Sequence, residues 1–164
     1  MIAATLTSPT VTGRLARALA PLLEPPAIVT LQGDLGTGKT TLVRGLLRAL
    51  GVRGAVTSPS FTLAQSYRGR GGIALHHLDL YRLGPGADVE LFAWDDYVGP
   101  PALVFVEWPE AGATQLPPAD VAVRLKHRSF RCRELELSAT PGLEQKLLVA
   151  LRAAGVADAR EVTA

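Results

Sequence analysis

One nine-residue segment constrains the fold of this chain more than any other: Gly33-Asp34-Leu35-Gly36-Thr37-Gly38-Lys39-Thr40-Thr41. It matches the phosphate-binding pattern G-x-x-x-x-G-K-[ST], whose glycines let the backbone turn several N–H groups towards a phosphate. In that pattern the lysine reaches the β- and γ-phosphates and the next hydroxyl ligates Mg²⁺, roles that fall to Lys39 and Thr40. The motif therefore predicts a nucleoside triphosphate site, with ATP and Mg²⁺ as its ligands.

Residue usage and context support this interpretation. The chain has three lysines against fourteen arginines, yet it keeps lysine at position 39, where a slender ammonium suits the space between phosphates. Upstream, the apolar and β-branched run 27–31 predicts a buried strand. Downstream, apolar residues at helical spacing over 42–50 predict a helix from Thr40, with Gly51 as its stop. Strand, glycine loop and helix is the arrangement that the motif requires.

The remaining patterns predict an α/β fold: a P-loop NTPase-like, mostly parallel sheet flanked by helices, with an antiparallel edge hairpin. Further strands are expected at 2–6, 63–67, 73–81 and 102–106, and the antiparallel pair at 121–125 and 133–137. Further helices are expected after Ser8-Pro9, after Asp88 and over 143–151. We expect a single domain over residues 1–155 and a frayed tail over residues 156–164.

The composition is ordinary for a globular protein and excludes few functions. The net charge of +2 is too small to indicate nucleic-acid binding by itself. The basic residues of segment 124–133 are interpreted as a solvated hairpin, the alternative being a contact to phosphate or RNA. The single Cys132 excludes an internal disulfide and suits a reducing compartment. No signal peptide is visible and no apolar run approaches the roughly 20 residues that cross a bilayer. We therefore expect a cytoplasmic protein without membrane attachment.

Two acids follow apolar strands, where phosphate-loop proteins place the carboxylates that hold their metal. Glu107 directly follows the run 102–106, and it could orient the attacking water, hold Mg²⁺ through a water or ligate it directly. Asp79 lies late in the strand predicted at 73–81, where it could equally cap a turn. Which of the two is the direct metal ligand or the base is left open.

Other polar residues nearby have weaker signals. Adjacent histidines on a strand point to opposite faces, so His76 and His77 cannot share a metal and are interpreted as structural. Ser58, Ser60 and Thr62 follow the first nucleotide-proximal helix, where nucleotide switches often supply a hydroxyl to the metal or the γ-phosphate. The alternative for these three residues is a proline-fixed turn with exposed hydroxyls.

Taken together, the motifs resemble the TsaE (YjeE) family of ATPases in bacterial transfer-RNA modification. The resemblance covers nearly the whole chain and includes the phosphate loop and three further segments: Ser58-Pro59-Ser60-Phe61-Thr62-Leu63, His77-Leu78-Asp79-Leu80-Tyr81-Arg82-Leu83 and Val106-Glu107-Trp108-Pro109-Glu110. The loop alone is generic, whereas the Asp-Leu-Tyr-Arg and Glu-Trp-Pro segments together are specific to the family.

The resemblance implies a weak, partner-dependent ATPase that helps to make N6-threonylcarbamoyladenosine at position 37 of transfer RNA. Its implied partners are TsaD-like and TsaB-like proteins, and it would meet transfer RNA only through their complex. Carried over by match, Lys39 binds phosphate and Thr41 lies at the phosphates. Thr40 and Glu107 bind Mg²⁺, and Asp79 becomes a metal ligand or catalytic acid. The implied catalytic residues are thus Glu107, Asp79 and Lys39.

The resemblance also implies contacts to the rest of the nucleotide. Trp108 would lie near the nucleotide, and the start of the first helix and a Gly-Arg turn near the last hairpin would contact the base. The candidates at the first helix are Pro9, Thr10 and Thr12. At the hairpin, Phe130 stands where the family has glycine, so the role falls to Arg131 or Arg133.

Two other functions fit the phosphate loop. One is a small kinase acting on a metabolite, which would need an arginine-bearing lid; the tip at 68–72 could be mistaken for one. The other is a nucleotide-gated binding module whose hydrolysis is incidental.

Overall fold

A computed structural model of the chain describes residues 1–59, 62–83, 94–98, 101–112, 116–156 and 158–162. The strands are β1 (Ile2–Leu6), β2 (Ala27–Gln32), β3 (Ala64–Arg68), β4 (Ala74–Asp79), β5 (Ala102–Glu107), β6 (Val121–His127), β7 (Arg133–Ala139) and β8 (Arg160–Glu161). The helices are α1 (Pro9–Leu19), α2 (Lys39–Ala49), α3 (Asp95–Val98) and α4 (Pro141–Ala153). Short 3₁₀ turns cover Ala20–Leu22, Arg70–Gly72, Tyr81–Leu83 and Pro109–Gly112.

The eight strands form one sheet in the order β3-β4-β5-β2-β6-β7-β1-β8. Strands β4, β5, β2 and β6 are parallel and form its centre. Antiparallel pairs extend the sheet on both sides, with β3 at one edge and β7, β1 and β8 at the other. The predicted α/β fold with a mostly parallel core is confirmed, and the antiparallel part is larger than the predicted hairpin.

The parallel centre of the sheet is buried on both faces. All six residues of β5 are buried, because apolar clusters lie on both faces of the sheet. One cluster packs the sheet against α1, α2 and α4, and the other packs it against Trp94, α3 and the turn that follows β5. Strand β6, nearer the edge, instead alternates buried and exposed residues from Val121 to Lys126.

Local signals fix the helix starts. The Ser8 hydroxyl accepts a hydrogen bond from the Val11 amide at 3.3 Å, and Pro9 occupies the first helical position of α1. Helix α2 begins at Lys39, one residue before the predicted start, after Gly38 with a left-handed φ of 103°. Helix α3 is the described part of the helix predicted after Asp88; positions 88 to 93 lie outside the described residues.

Two predicted boundaries differ from the structure. Strand β4 ends at Asp79 rather than at residue 81, because the Asp79 carboxylate accepts a bond from the Tyr81 amide at 3.2 Å and starts a 3₁₀ turn. The tail was predicted to fray from residue 156, but residues 160 and 161 pair with β1 as β8. Val156 and Ala159 are buried, and this apolar contact holds the segment against the sheet.

Among the described helices, none combines the length and the apolar character that a membrane crossing requires.

The contact between α1 and α2 depends on Gly45, because a Cβ there would lie 2.7 Å from the Cβ of Ala16. We predict that Gly45→Ala lowers the free energy of unfolding by about 1–3 kcal/mol, since the helices must move apart. Gly142→Ala in α4 is the matched control, because its Cβ would meet nothing within 4 Å. Urea denaturation measures both; equal stability of the two variants would contradict the close helix contact.

Candidate functional site

The phosphate loop joins the carboxyl end of β2 to the start of α2. Gly33 has a φ of 137°, and a Cβ there would lie 2.1 Å from the Leu125 carbonyl oxygen, so only glycine fits. Gly38 has a left-handed φ at the start of the helix, and its carbonyl accepts the Leu42 amide at 2.9 Å. Loop and helix are therefore shaped as the motif requires, with the positive end of the α2 dipole at the loop.

Lys39 is folded back across this loop. Its Nζ donates to the carbonyl oxygens of Gly33 at 2.6 Å and Asp34 at 2.9 Å, and the side chain as a whole is buried. The ammonium also lies 3.8 Å from the ring centroid of Trp108. Burial lowers the pKa of Lys39 below its ordinary value, and the nearby carboxylates, Glu107 first among them, partly oppose that shift.

The sheet register brings the two acids together. In the parallel ladder of β4 and β5, Asp79 lies opposite Glu107, and Glu107 lies opposite Leu31 at the end of β2. Both carboxylates are buried, Glu107 being only 2% exposed. The Thr40 hydroxyl donates to Oε2 of Glu107 at 2.8 Å. The predicted metal-binding hydroxyl and carboxylate are thus in direct contact.

The segment after α2 also reaches this site. The Ser58 hydroxyl lies 3.4 Å from Oδ2 of Asp79. Thr62 donates instead to the Ala64 carbonyl at 3.2 Å and does not line the site, while Ser60 lies outside the described residues. Of the three hydroxyls proposed from the sequence as switch ligands, the structure therefore brings Ser58 to the acids.

Two cavities meet at the loop. One, of about 410 Å³, contains the charged groups; its lining includes Leu35, Lys39, Thr40, Ser58, Asp79, Tyr81, Arg82, Glu107 and Trp108. The other, of about 480 Å³, lies beside the start of α1; its lining includes Ser8, Pro9, Thr12, Thr37, Phe130, Arg131 and Arg133. Gly36, Gly38 and Thr41 line both cavities. Each volume is in the range of small-molecule sites, and the phosphate loop with the start of α2 forms a wall that the two cavities share.

The hairpin arginines lie at this second cavity in different ways. The guanidinium of Arg133 donates to backbone carbonyls, among them Ser129 at 3.1 Å and Gly36 at 3.3 Å. Arg131 is exposed at the cavity wall, next to Phe130, whose side chain is 94% exposed. Both candidate arginines thus line this cavity, but the guanidinium of Arg133 is already hydrogen-bonded to backbone carbonyls.

The rest of the basic segment belongs to the sheet surface. Arg124 donates to Gln32 at 3.1 Å, and Lys126 pairs with Glu136 at 2.6 Å. Arg128 donates to the Thr5 hydroxyl at 3.1 Å. These contacts agree with a solvated hairpin.

One residue that the sequence placed in a structural role contacts the site. His77 is buried, and its Nε2 lies 2.8 Å from Oε1 of Glu107. The signal that could have found it is the strand period: positions 77 and 79 share a face of β4, so His77 faces the same side as Asp79.

The oxygen donors fit Mg²⁺. Thr40, Glu107 and Asp79 offer hydroxyl and carboxylate oxygens, the ligands that Mg²⁺ prefers. No group of three or more His, Cys, Asp or Glu side chains in the described ranges could enclose a metal. Two carboxylates and one hydroxyl form a donor set that Mg²⁺ can use together with substrate phosphates.

Comparisons with known proteins indicate one family. Residues 6–135 match the family model "Threonylcarbamoyl adenosine biosynthesis protein TsaE". A tRNA threonylcarbamoyladenosine biosynthesis protein TsaE from Haemophilus influenzae is 38% identical over 127 residues, which are 77% of this chain and 79% of that protein. One of the same name from Bacillus subtilis is 33% identical over 132 residues, 80% of this chain and 82% of that protein. The crystal structure of Bacillus subtilis YdiB superposes with a TM-score of 0.74 at 28% identity, covering 93% of this chain and 97% of that one.

The buried setting of Lys39 gives a direct prediction. Its side-chain ammonium should titrate with a midpoint below that of a free lysine, because burial disfavours the charged form. Glu107→Gln should lower that midpoint further, since it removes the largest nearby charge that favours the ammonium. Lysine Nζ NMR across alkaline pH measures both midpoints, with a change at the exposed Glu134 of β7, Glu134→Gln, as the control. A midpoint at or above the free value, or one that Glu107→Gln raises, would contradict this electrostatic account.

Proposed function

The chain belongs to the TsaE family of tRNA threonylcarbamoyladenosine biosynthesis proteins, and from that premise we propose that it is a weak, Mg²⁺-dependent ATPase that acts with TsaB-like and TsaD-like partners. ATP hydrolysis would support the turnover of the complex that modifies adenosine 37, and transfer RNA would meet this chain only through that complex. Such a role places the protein in the cytoplasm.

The observation that carries the ATPase proposal is the 2.8 Å hydrogen bond between Thr40 and Glu107. It joins the hydroxyl of the phosphate-loop motif to a buried carboxylate at the end of the central strand, with Lys39 and Asp79 lining the same cavity. A loop that served only to bind an anion would gain nothing from acids in contact with it, because like charges repel. Acids at this position instead indicate a cation between them and the phosphates.

Each residue then has a defined task. The loop amides, the start of α2 and Lys39 bind the β- and γ-phosphates. Thr40 and Glu107 would hold Mg²⁺, which when bound would neutralise charge on the phosphate oxygens. Asp79, beside Glu107 in the sheet register, would orient the attacking water. Ser58 positions Asp79 from the segment after α2.

The second cavity, beside the start of α1, is the proposed site of the nucleoside. Pro9 and Thr12 form its apolar and polar wall at the start of α1. We assign the basic contact to Arg131, because the guanidinium of Arg133 is already bonded to backbone carbonyls. Phe130 lines the same wall and is exposed, so its ring is accessible to a ligand there.

Exposed apolar residues support dependence on a partner. Leu35, Tyr81 and Phe130 are exposed. Leu35 and Tyr81 line the cavity with the charged groups, and Phe130 lines the cavity beside α1. A cleft with such a rim is open to water, which weakens electrostatic interactions within it. A protein partner that covers the rim would bury these side chains and strengthen the site, so hydrolysis by the free chain is expected to be slow.

A kinase is less well supported. The tip at 68–72, which resembles a lid in the sequence, packs against the far end of α2, where the Arg70 amide donates to the Leu50 carbonyl at 2.8 Å. Helix α2 spans Lys39–Ala49, so the tip lies roughly 16 Å from the phosphate loop. That tip therefore cannot close over the loop.

Lys39→Ala should weaken ATP binding by roughly 100-fold, since it removes a charge-assisted bond to phosphate worth about 2–3 kcal/mol. Isothermal titration calorimetry with Mg²⁺ measures it. Lys146→Ala, on the outer face of α4, is the matched control and should bind ATP as the unchanged protein does. Equal affinities for the two variants would overturn the assignment of residues 33–41.

The Glu107→Gln variant tests whether modification requires ATP hydrolysis or only ATP binding. In the complete modification system it should bind ATP but lower ATP hydrolysis by at least about 100-fold, because the amide neither carries charge nor accepts a proton. Modified transfer RNA should then accumulate for only one turnover. Glu134→Gln is the control. Sustained modification by Glu107→Gln would favour the nucleotide-gated binding module, and phosphate transfer to a metabolite faster than hydrolysis would favour a kinase.

A further inference from the structure

His77 lies deep in the protein directly behind the proposed metal site. It is on β4, opposite Phe105 of β5, and its side chain is 0% exposed. Its Nε2 lies 2.8 Å from Oε1 of Glu107. An ionised carboxylate can only accept hydrogen bonds, so Nε2 carries the hydrogen and donates it.

The other ring nitrogen shows why an imidazole at this position is unusual. Nδ1 of His77 is buried and, within the described ranges of the chain, has no hydrogen-bond partner. A buried polar atom without a partner opposes folding, whereas an apolar side chain of similar size would not. The hydrogen bond from His77 to Glu107 offsets this cost.

With that bond, each oxygen of the Glu107 carboxylate accepts a hydrogen bond from a different donor. Oε1 accepts from His77 and Oε2 accepts from Thr40, each at 2.8 Å. The terminal torsion of a glutamate is broad and roughly two-fold when nothing restrains it. With both oxygens held, the plane of the Glu107 carboxylate is fixed and Oε2 faces the phosphate loop.

We propose that His77 is a positioning residue that fixes the Glu107 carboxylate for Mg²⁺; this rests on the proposed function of the site. His77 touches neither nucleotide nor metal and acts only through Glu107. Outer-shell partners of this kind typically change metal affinity by about 10- to 100-fold when they are removed.

The neighbouring His76 provides the matched control. It lies on the opposite face of β4, where its Nδ1 is 2.8 Å from the Ser66 hydroxyl and its ring contacts Tyr97. A change there alters the same strand without touching Glu107. Glutamine at position 77 provides the conservative variant, because its amide nitrogen is as many bonds from Cβ as Nε2 of histidine.

The experiment measures Mn²⁺ binding by electron paramagnetic resonance with ADP present, in the unchanged protein and in His77→Leu, His77→Gln and His76→Leu. His77→Leu should weaken Mn²⁺ binding by about tenfold or more, His77→Gln should restore it to within about threefold, and His76→Leu should leave it unchanged. ADP affinity in EDTA should be equal in all four, because the phosphate contacts are intact. Equal Mn²⁺ affinity in His77→Leu, or a folded His77→Gln as weak as His77→Leu, would overturn the proposal.

The outcome distinguishes this inference from the function on which it rests. If the unchanged protein binds no Mn²⁺ with ADP, the proposed Mg²⁺-dependent function fails and this inference fails with it. If the unchanged protein binds Mn²⁺ and the variants do not differ, only the role of His77 fails. Should His77→Leu not fold, ¹⁵N NMR of the unchanged protein decides: a hydrogen on Nε2 whose resonance shifts in Glu107→Gln supports the proposal, and a hydrogen on Nδ1 alone refutes it.

Discussion

The hydrogen bond from Thr40 to Glu107 holds together two parts of the chain that are 67 residues apart in sequence. It ties the first turn of α2 to the carboxyl end of β5, and it can form only because β5 pairs in parallel with β2, the strand that leads into the phosphate loop. The same register places Asp79 next to Glu107. The positions of the acids, the loop and the helix start therefore all follow from the order of three central strands.

Several features of the site lower the stability of the folded protein. Lys39 is buried, which opposes its charge, and Trp108 has a left-handed φ of 58° that a bulky side chain rarely adopts. The Trp108 conformation follows directly after Glu107 and brings the ring beneath the Lys39 ammonium. His77 adds a buried nitrogen without a partner in the described part of the chain. Among the described residues, the buried ionisable side chains (Lys39, His77, Asp79 and Glu107) all lie at this site. Such a concentration is typical of a functional site.

Much of the fold could be predicted from the sequence because its signals are local. The loop and its flanking strand and helix are adjacent in the chain, and the start of α1 is marked by Ser8 and Pro9. The contact between His77 and Glu107 could not be predicted, since it depends on which strands become neighbours. The edge strand β8 was missed for the same reason: two residues form it, and only pairing with β1 makes them a strand. The roles of the site residues stay predictions.

The most direct test of the proposed ATP and Mg²⁺ site is a crystal structure of the protein with Mg²⁺ and a non-hydrolysable ATP analogue. We expect the β- and γ-phosphates to lie against the backbone of residues 33–40, the metal to be ligated by Thr40 and Glu107, and the base to lie in the cavity of Pro9 and Arg131. A nucleotide bound elsewhere, or a metal bound without contact to Thr40 and without direct or water-mediated contact to Glu107, would contradict the proposed site.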